Sequence, residues 1–156
     1  MFKRVVLPPF CYFNICCTMS NKQFGFPKTE HLKSKTVIDN LYAKGLSVAA
    51  FPLRAVFIPL EEKDEKQPTA TILINVAKKR FRHAVDRNLI KRRIREAYRL
   101  NKQPFIEKLQ ENNVKMAVAI LYIDNRHSST EFLKRKMVKL LAAILEKEQK
   151  KCDSSL

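Results

Sequence analysis

Between positions 78 and 102 the chain reads KKRFRHAVDRNLIKRRIREAYRLNK, with eleven Lys and Arg against two acids. Only a helix keeps its apolar residues away from that many cations. Wound at ~100° per residue over 85–101, the stretch places Ile90, Ile94, Ala97 and Tyr98 on one arc, the stripe by which a helix docks on a core. The neighbouring arc carries Asn88, Lys91, Arg92, Arg95, Arg99 and Lys102, with Glu96 apart from it. The row Arg87, Lys91, Arg95 and Arg99, spaced by four, repels itself by a few tenths of a kcal/mol per like-charge pair. A solvated surface helix ordinarily explains a basic run, but here acids are nearly absent from the compensating positions. That absence favours a nucleic acid as the partner.

The balance of the whole chain agrees. Its 156 residues suit one domain with a substantial core, and a formal net charge of +16 makes phosphate polyanions or an anionic membrane surface the natural partners. No apolar run reaches the ~18 residues that a spanning helix needs, so a soluble chain is expected. The two glycines, Gly25 and Gly45, exclude a glycine-rich phosphate loop of either the GxGxxG or the GxxxxGK type.

Residues 1–28 differ in character from the remainder of the chain. MFKRVVLPPFCYFNICCTMS has a basic start and an apolar middle, as a secretory signal would. However, Pro8 and Pro9 interrupt it, no small-x-small cleavage site comes after it, and Cys16 and Cys17 lack a lipoprotein context. The preferred reading is an extension outside the folded domain, with translation starting at Met19. Cys11, Cys16 and Cys17 lie in that extension and Cys152 lies in the tail, while His31, His83 and His127 stand singly. No paired metal-ligand spacing results, and a core without cysteine suits the cytoplasm.

Periodicity predicts a first helix from His31 or Leu32 to Lys44, stopped by Gly45. A strand follows over 51–60, with Leu53, Ala55, Phe57 and Pro59 on one side and Arg54, Val56, Ile58 and Leu60 on the other. After the charged loop 61–68, a second strand over 69–76 is expected to close an antiparallel hairpin. Beyond the basic helix come a short helix over 105–110 and a near-continuous apolar strand over 114–123, which implies cover on both faces. Asp124 and His127 read as turn-capping residues. Ser128 and Glu131 read as a capping box for a last helix with Phe132, Met137, Leu140, Leu141, Ile144 and Leu145 inward and Lys134, Arg135, Lys136 and Lys139 outward. A frayed polar tail is expected over 149–156. The order α-β-β-(β)-α-β-α is an α+β fold, a single domain over 29–148 whose helices cover a small sheet.

The run Ala84-Val85-Asp86-Arg87-Asn88-Leu89-Ile90-Lys91-Arg92-Arg93-Ile94-Arg95 resembles the RNR signature of the protein subunit of bacterial ribonuclease P. The order of elements across about 29–148 matches that family as well. Two departures stand out. Leu89 stands at the third position of the motif, where Arg is usual, and Arg80-Phe81-Arg82-His83 occupies a turn where the family usually has Gly.

The resemblance implies a small RNA-binding accessory subunit. A catalytic RNA with bound Mg²⁺ would remove the 5′ leader from precursor tRNA, and the protein would dock on that RNA and hold the leader. It implies RNA contacts at Lys78, Lys79, Arg87, Asn88, Lys91, Arg92, Arg95 and Arg99, and a leader cleft formed by Ile38, Tyr42 and Phe57. The implied partners are ribonuclease P RNA and precursor tRNA, in the cytoplasm, with no membrane and no obligate protein partner. The residues themselves supply no catalytic group: Asp86 and Glu96 lie ten positions apart among cations, unlike the clustered carboxylates or His pair of a self-sufficient nuclease. A structured-RNA-binding protein of ribosomal type, without an enzymatic role, is the main alternative. A DNA-binding module fits less well because the arc is almost wholly cationic, and a membrane-surface helix fits least.

Overall fold

A computed structural model of the chain describes residues 25–60 and 68–153. The expectations for the N-terminal extension and most of the charged loop lie outside those residues. A 3-10 turn, Lys28–Glu30, leads to α1 (Lys35–Lys44), β1 (Leu46–Ala50), β2 (Leu53–Leu60), β3 (Ala70–Val76), α2 (Ala84–Asn101), α3 (Gln103–Glu111), β4 (Lys115–Tyr122) and α4 (Thr130–Asp153). The α+β class and the helix-covered sheet are as the sequence implies.

Strand β4 organises the sheet. Its apolar residues alternate between two clusters: Met116, Val118, Ile120 and Tyr122 join a large core with α2, α3 and α4, while Ala117 and Ala119 face Leu41 of α1. A strand buried on both faces belongs in the sheet interior, and the strand order is β1-β2-β4-β3. This corrects the expected β2–β3 hairpin. β4 lies between them, antiparallel to β2 with Phe57 opposite Val118, and parallel to β3 with Ile72 opposite the same Val118. The parallel pair is reached through α2 and α3, the long crossover that parallel strands require.

Other boundaries also move. Residues 46–50 form a strand that the sequence pattern does not announce; Leu46 pairs with Phe57 and Ala50 with Leu53. Helix α1 begins at Lys35 because His31 and Leu32 are extended along β3, where the Leu32 amide donates to the Ile72 carbonyl at 3.1 Å. Gly45 does end α1, through close approach and not through a left-handed turn: its φ is −69°, and a Cβ there would lie 2.2 Å from the Leu41 carbonyl oxygen and 2.6 Å from Val56 Cγ1. The cap of α4 is Ser129, whose Oγ accepts from the Phe132 amide at 3.3 Å, and not Ser128, which bonds Tyr122 instead. That shift turns Leu133 into the core and leaves Phe132 half-buried. The helix also continues to Asp153, through much of the expected tail. No helix among the described residues is long and apolar enough to cross a membrane.

Candidate nucleic-acid interface

Helix α2 buries the stripe that its periodicity predicts: Ile90, Ile94, Ala97 and Tyr98 are all 0% exposed. Burying aliphatic side chains such as Ile90 and Ile94 stabilises by ~1.5–3 kcal/mol each, so the helix is held firmly. Two polar ties fix its roll against the turn before α4. Arg93 donates to the Ser128 carbonyl at 2.8 Å, and Asp86 lies 3.5 Å from His127. Asp124 shapes that turn by accepting from the amides of Asn125 and Arg126, as a turn-capping residue should. His127 packs instead against the Phe81 ring, with centroids 5.1 Å apart.

On the outward side Asn88, Arg92 and Arg95 are exposed and Lys91 is half-buried. None of the four makes a hydrogen bond or ion pair with the described residues. Three cations and one amide thus stand side by side on a rigid helix without compensation. Four other cations of the stretch are committed elsewhere. Arg87 donates at 2.8 Å to both the Phe81 and Arg82 carbonyls, so it holds the turn leading into α2. Its spacing already places it there, because Ile90, Ile94 and Tyr98 follow it by three, seven and eleven positions on the buried side. Arg99 forms a fork with Glu96, at 2.9 Å and 2.6 Å, and this contact holds the Glu96 carboxyl below the usual carboxylate range. Lys102 is buried and lies 2.5 Å from Glu30, which removes it from the cationic arc, while Arg93 is the tie described above.

The turn before α2 extends the basic surface. Lys78, Lys79 and Arg82 are exposed, and Arg80 reaches Asn125 Oδ1 at 3.0 Å. Phe81 anchors this turn by inserting into the core beside Tyr122. The turn needs no glycine, since none of its residues has a positive φ. Leu89, where the motif usually has Arg, is 40% exposed and leaves an apolar gap among the cations.

The second group of expected site residues divides. Ile38, on α1, is half-buried against the sheet, and Tyr42, on the same helix, is 47% exposed. Phe57 is 0% exposed and belongs to the core on the opposite face, so it does not line a cleft with α1. The β2 side chains facing α1 are Val56, Ile58 and Leu60, the alternate set that strand periodicity offered.

Sequence reasoning also missed His31. It lies close enough to Arg95 for that charge, after burial itself, to lower its pKa, with Lys33 acting the same way. The positive surface therefore runs from α2 toward the start of α1. Among the described residues no three His, Cys, Asp or Glu side chains gather into a metal-binding group.

What this fold and surface define is a small α+β protein that presents uncompensated positive charge from one well-anchored helix. Residues 26–145 match the model of the family described as Ribonuclease P. The chain belongs to that family. It is 42% identical over 88 residues to the ribonuclease P protein component of Porphyromonas gingivalis, a match covering 56% of this chain and 63% of that one. It is 35% identical over 77 residues to that of Chlorobium phaeobacteroides, covering 49% and 53%. The chain thus matches less than two thirds of the length of these curated relatives. In fold it is similar to the Staphylococcus aureus RNase P protein, with a TM-score of 0.57 at 22% identity over 74% of this chain and 94% of that one. A mutant of that protein with defective mRNA degradation activity gives 0.56 at 23% identity, over 75% and 89%.

Proposed function

We propose that this chain is the RNA-binding protein component of a ribonuclease P ribonucleoprotein, which assists a catalytic RNA in removing the 5′ leader from precursor tRNA. The observation that carries this reading is the uncompensated row of Lys91, Arg92 and Arg95 beside Asn88 on a helix fixed from behind. Such a row suits docking on phosphates, where each neutralised charge releases counterions and a guanidinium can bind two oxygens at once. Lys78 and Lys79 extend the contact. Arg87 and Arg99 support it indirectly, by holding the turn and by pairing with Glu96.

In this reading Tyr42, with Ile38 beside it, takes the single-stranded leader. Aromatic stacking contributes ~1–3 kcal/mol per base. Hydrolysis belongs to the RNA, together with its Mg²⁺. The two carboxylates of α2 do not suit a resident ion: Glu96 is held by Arg99 and Asp86 lies against His127, so no step is assigned to a metal on that helix. The complex works in the cytoplasm and needs no further protein partner.

The test is cleavage of precursor tRNA by bacterial ribonuclease P RNA at low Mg²⁺, with and without the protein. Stimulation by the wild type, absent with Arg92→Ala/Arg95→Ala, is the expected result. Binding to the RNA without any change in cleavage would overturn the enzyme role and leave a plain structured-RNA-binding protein.

A further inference from the structure

Helices α2 and α4 run side by side in the same direction. Arg93 reaches the Ser128 carbonyl, the Lys134 charge acts on the Glu96 carboxyl, and Asn101 shares a groove with Val138 and Leu141. Where α2 gives way to α3, this groove opens between α3 and α4 to a volume of about 520 Å³. Its floor is Phe105, Leu141 and Leu145, all buried, and Val138 and Ala142 form its lip on α4. The floor belongs to the core under α2, α3 and α4, so the groove lies on the opposite face of the sheet from Ile38 and α1.

The lip is uncovered. Val138 is 51% exposed, Ala142 is exposed, and Leu100, next to Asn101 at the end of α2, is 36% exposed. Single apolar residues on a surface are ordinary, whereas several gathered round an apolar groove mark a contact surface.

Charge divides across this surface. Glu107 and Glu111 stand on the α3 side, Arg135 and Lys139 stand on the α4 side, and all four are exposed. None has an ion-pair partner among the described residues; the Glu107 carboxylate accepts only from the neutral Gln103 amide, at 2.9 Å. Lys108 lies between the two acids and Glu131 a turn before Arg135, which leaves the α3 side net negative and the α4 side net positive. The groove therefore suits a helix that carries small apolar side chains flanked by cations. The chain has such a helix in α4 itself.

We propose that this face is the contact between two copies of the chain. A two-fold axis lying along the groove sets α3 of each copy over α4 of the other, the self-complementary arrangement of an isologous pair. Val138 of each copy then enters the groove of the other, and Glu107 and Glu111 of each meet Arg135 and Lys139 of the other. The apolar contact holds the pair, while rim charges add little affinity and fix its register. Lys91 and Arg95 lie on the flank of α2 away from α4, with Arg95 toward His31, so pairing leaves them free. The formal net charge of +16 per chain opposes association, but the Debye length of ~8 Å at physiological salt screens charges on the far flanks. This contact goes beyond the ribonuclease P reading and does not rest on it.

The experiment is sedimentation of the nucleic-acid-free full chain over a concentration series at ~0.15 M salt. The mass should rise with concentration from that of one chain to twice that value and no further. Val138→Glu, at an exposed position, should keep the melting temperature and stay at the mass of one chain. Two charge reversals, Glu107→Lys/Glu111→Lys and Arg135→Glu/Lys139→Glu, should each lose pairing when tested alone, since like charges brought together oppose a contact strongly. Mixed in equal amounts they should pair again, because every contact between α3 and α4 then joins opposite charges. A wild type that stays at the mass of one chain refutes the proposal and leaves the groove to a different occupant. Masses that keep growing refute the closed pair, and reversal variants that pair like wild type, or a mixture that does not pair, refute the placing of α3 over α4. Arg92→Ala/Arg95→Ala should pair like wild type, so this proposal and the ribonuclease P reading fail separately.

Discussion

Lys102 Nζ lies 2.5 Å from Glu30 Oε1, both residues are buried, and 72 positions of sequence separate them. This pair clips the start of the domain onto the junction between α2 and α3, next to Tyr98, whose ring meets Phe26 edge-on at 5.5 Å. Removing one partner strands a buried charge, which costs ~3–5 kcal/mol. Glu30→Ala should therefore lower the denaturation midpoint substantially. The double variant Glu30→Ala/Lys102→Met should recover much of that loss, because neither charge is then left alone. Equal stability of the single and double variants in urea would show that the pair is not coupled.

Arg87 and Arg92 share a motif but not a role. Arg87→Ala leaves the Phe81 and Arg82 carbonyls without their donor, and bonds of this charged kind contribute ~1.5–3 kcal/mol each. It should lower thermal stability and loosen the turn. Arg92→Ala should leave stability unchanged and reduce the slope of log affinity for RNA against log salt by ~1. Thermal melts and a salt series on both variants check the contrast; a stable Arg87→Ala protein with a flattened salt slope would return Arg87 to the contact surface.

That contrast shows what the sequence could and could not convey. The stripe on α2 was legible because burial follows a period that a single helix cannot hide, and β4 because an apolar run without alternation needs two covered faces. Neighbour choice was not legible: nothing in the alternation of β2 or β3 says that β4 lies between them. β1, five residues of small and medium side chains, carried too little pattern to announce itself. The resemblance alone implies Phe57 in the cleft, although strand alternation puts Val56 and Ile58 on the other face. Lys102 and Arg87 were assigned by charge. The acceptors that claim them, Glu30 and two turn carbonyls, lie off the helix, where a helical projection cannot find them.

Gly45 is held by space. Its amide donates to the Leu41 carbonyl at 3.0 Å, and the space where a Cβ would stand lies within van der Waals distance of that carbonyl and of Val56. Gly45→Ala must push α1 away from β2, and overpacking of this kind costs ~1–3 kcal/mol. The expected outcome is a lower melting temperature, with the largest amide shifts along α1 and β2. Val56→Ala in the same chain should relieve only part of it, since the Leu41 carbonyl is backbone and remains in place. A Gly45→Ala protein as stable as wild type would mean that α1 is free to shift.

Tyr98 is wholly buried, and its hydroxyl has no hydrogen-bond partner among the described residues. Burial first, and the Glu30 carboxylate second, push its pKa well above the ordinary value of 10.0. Below the unfolded pKa the phenol is neutral in both states, so its contribution to stability is fully present. As pH rises past ~10 the unfolded chain releases the proton while the folded one keeps it, and stability falls with pH. Tyr122 adds to the same decline, since burial raises its pKa too. Tyr98→Phe removes the Tyr98 share of that slope. It also removes an unsatisfied polar atom, a change that ranges from neutral to stabilising by ~1–3 kcal/mol at neutral pH. Urea denaturation of wild type and Tyr98→Phe at pH 7 and at alkaline pH separates the two effects: the variant should match or exceed wild type at pH 7, and its advantage should grow as the solution becomes more basic. A constant difference at every pH would mean that the Tyr98 phenol ionises as readily in the folded protein as in the unfolded chain.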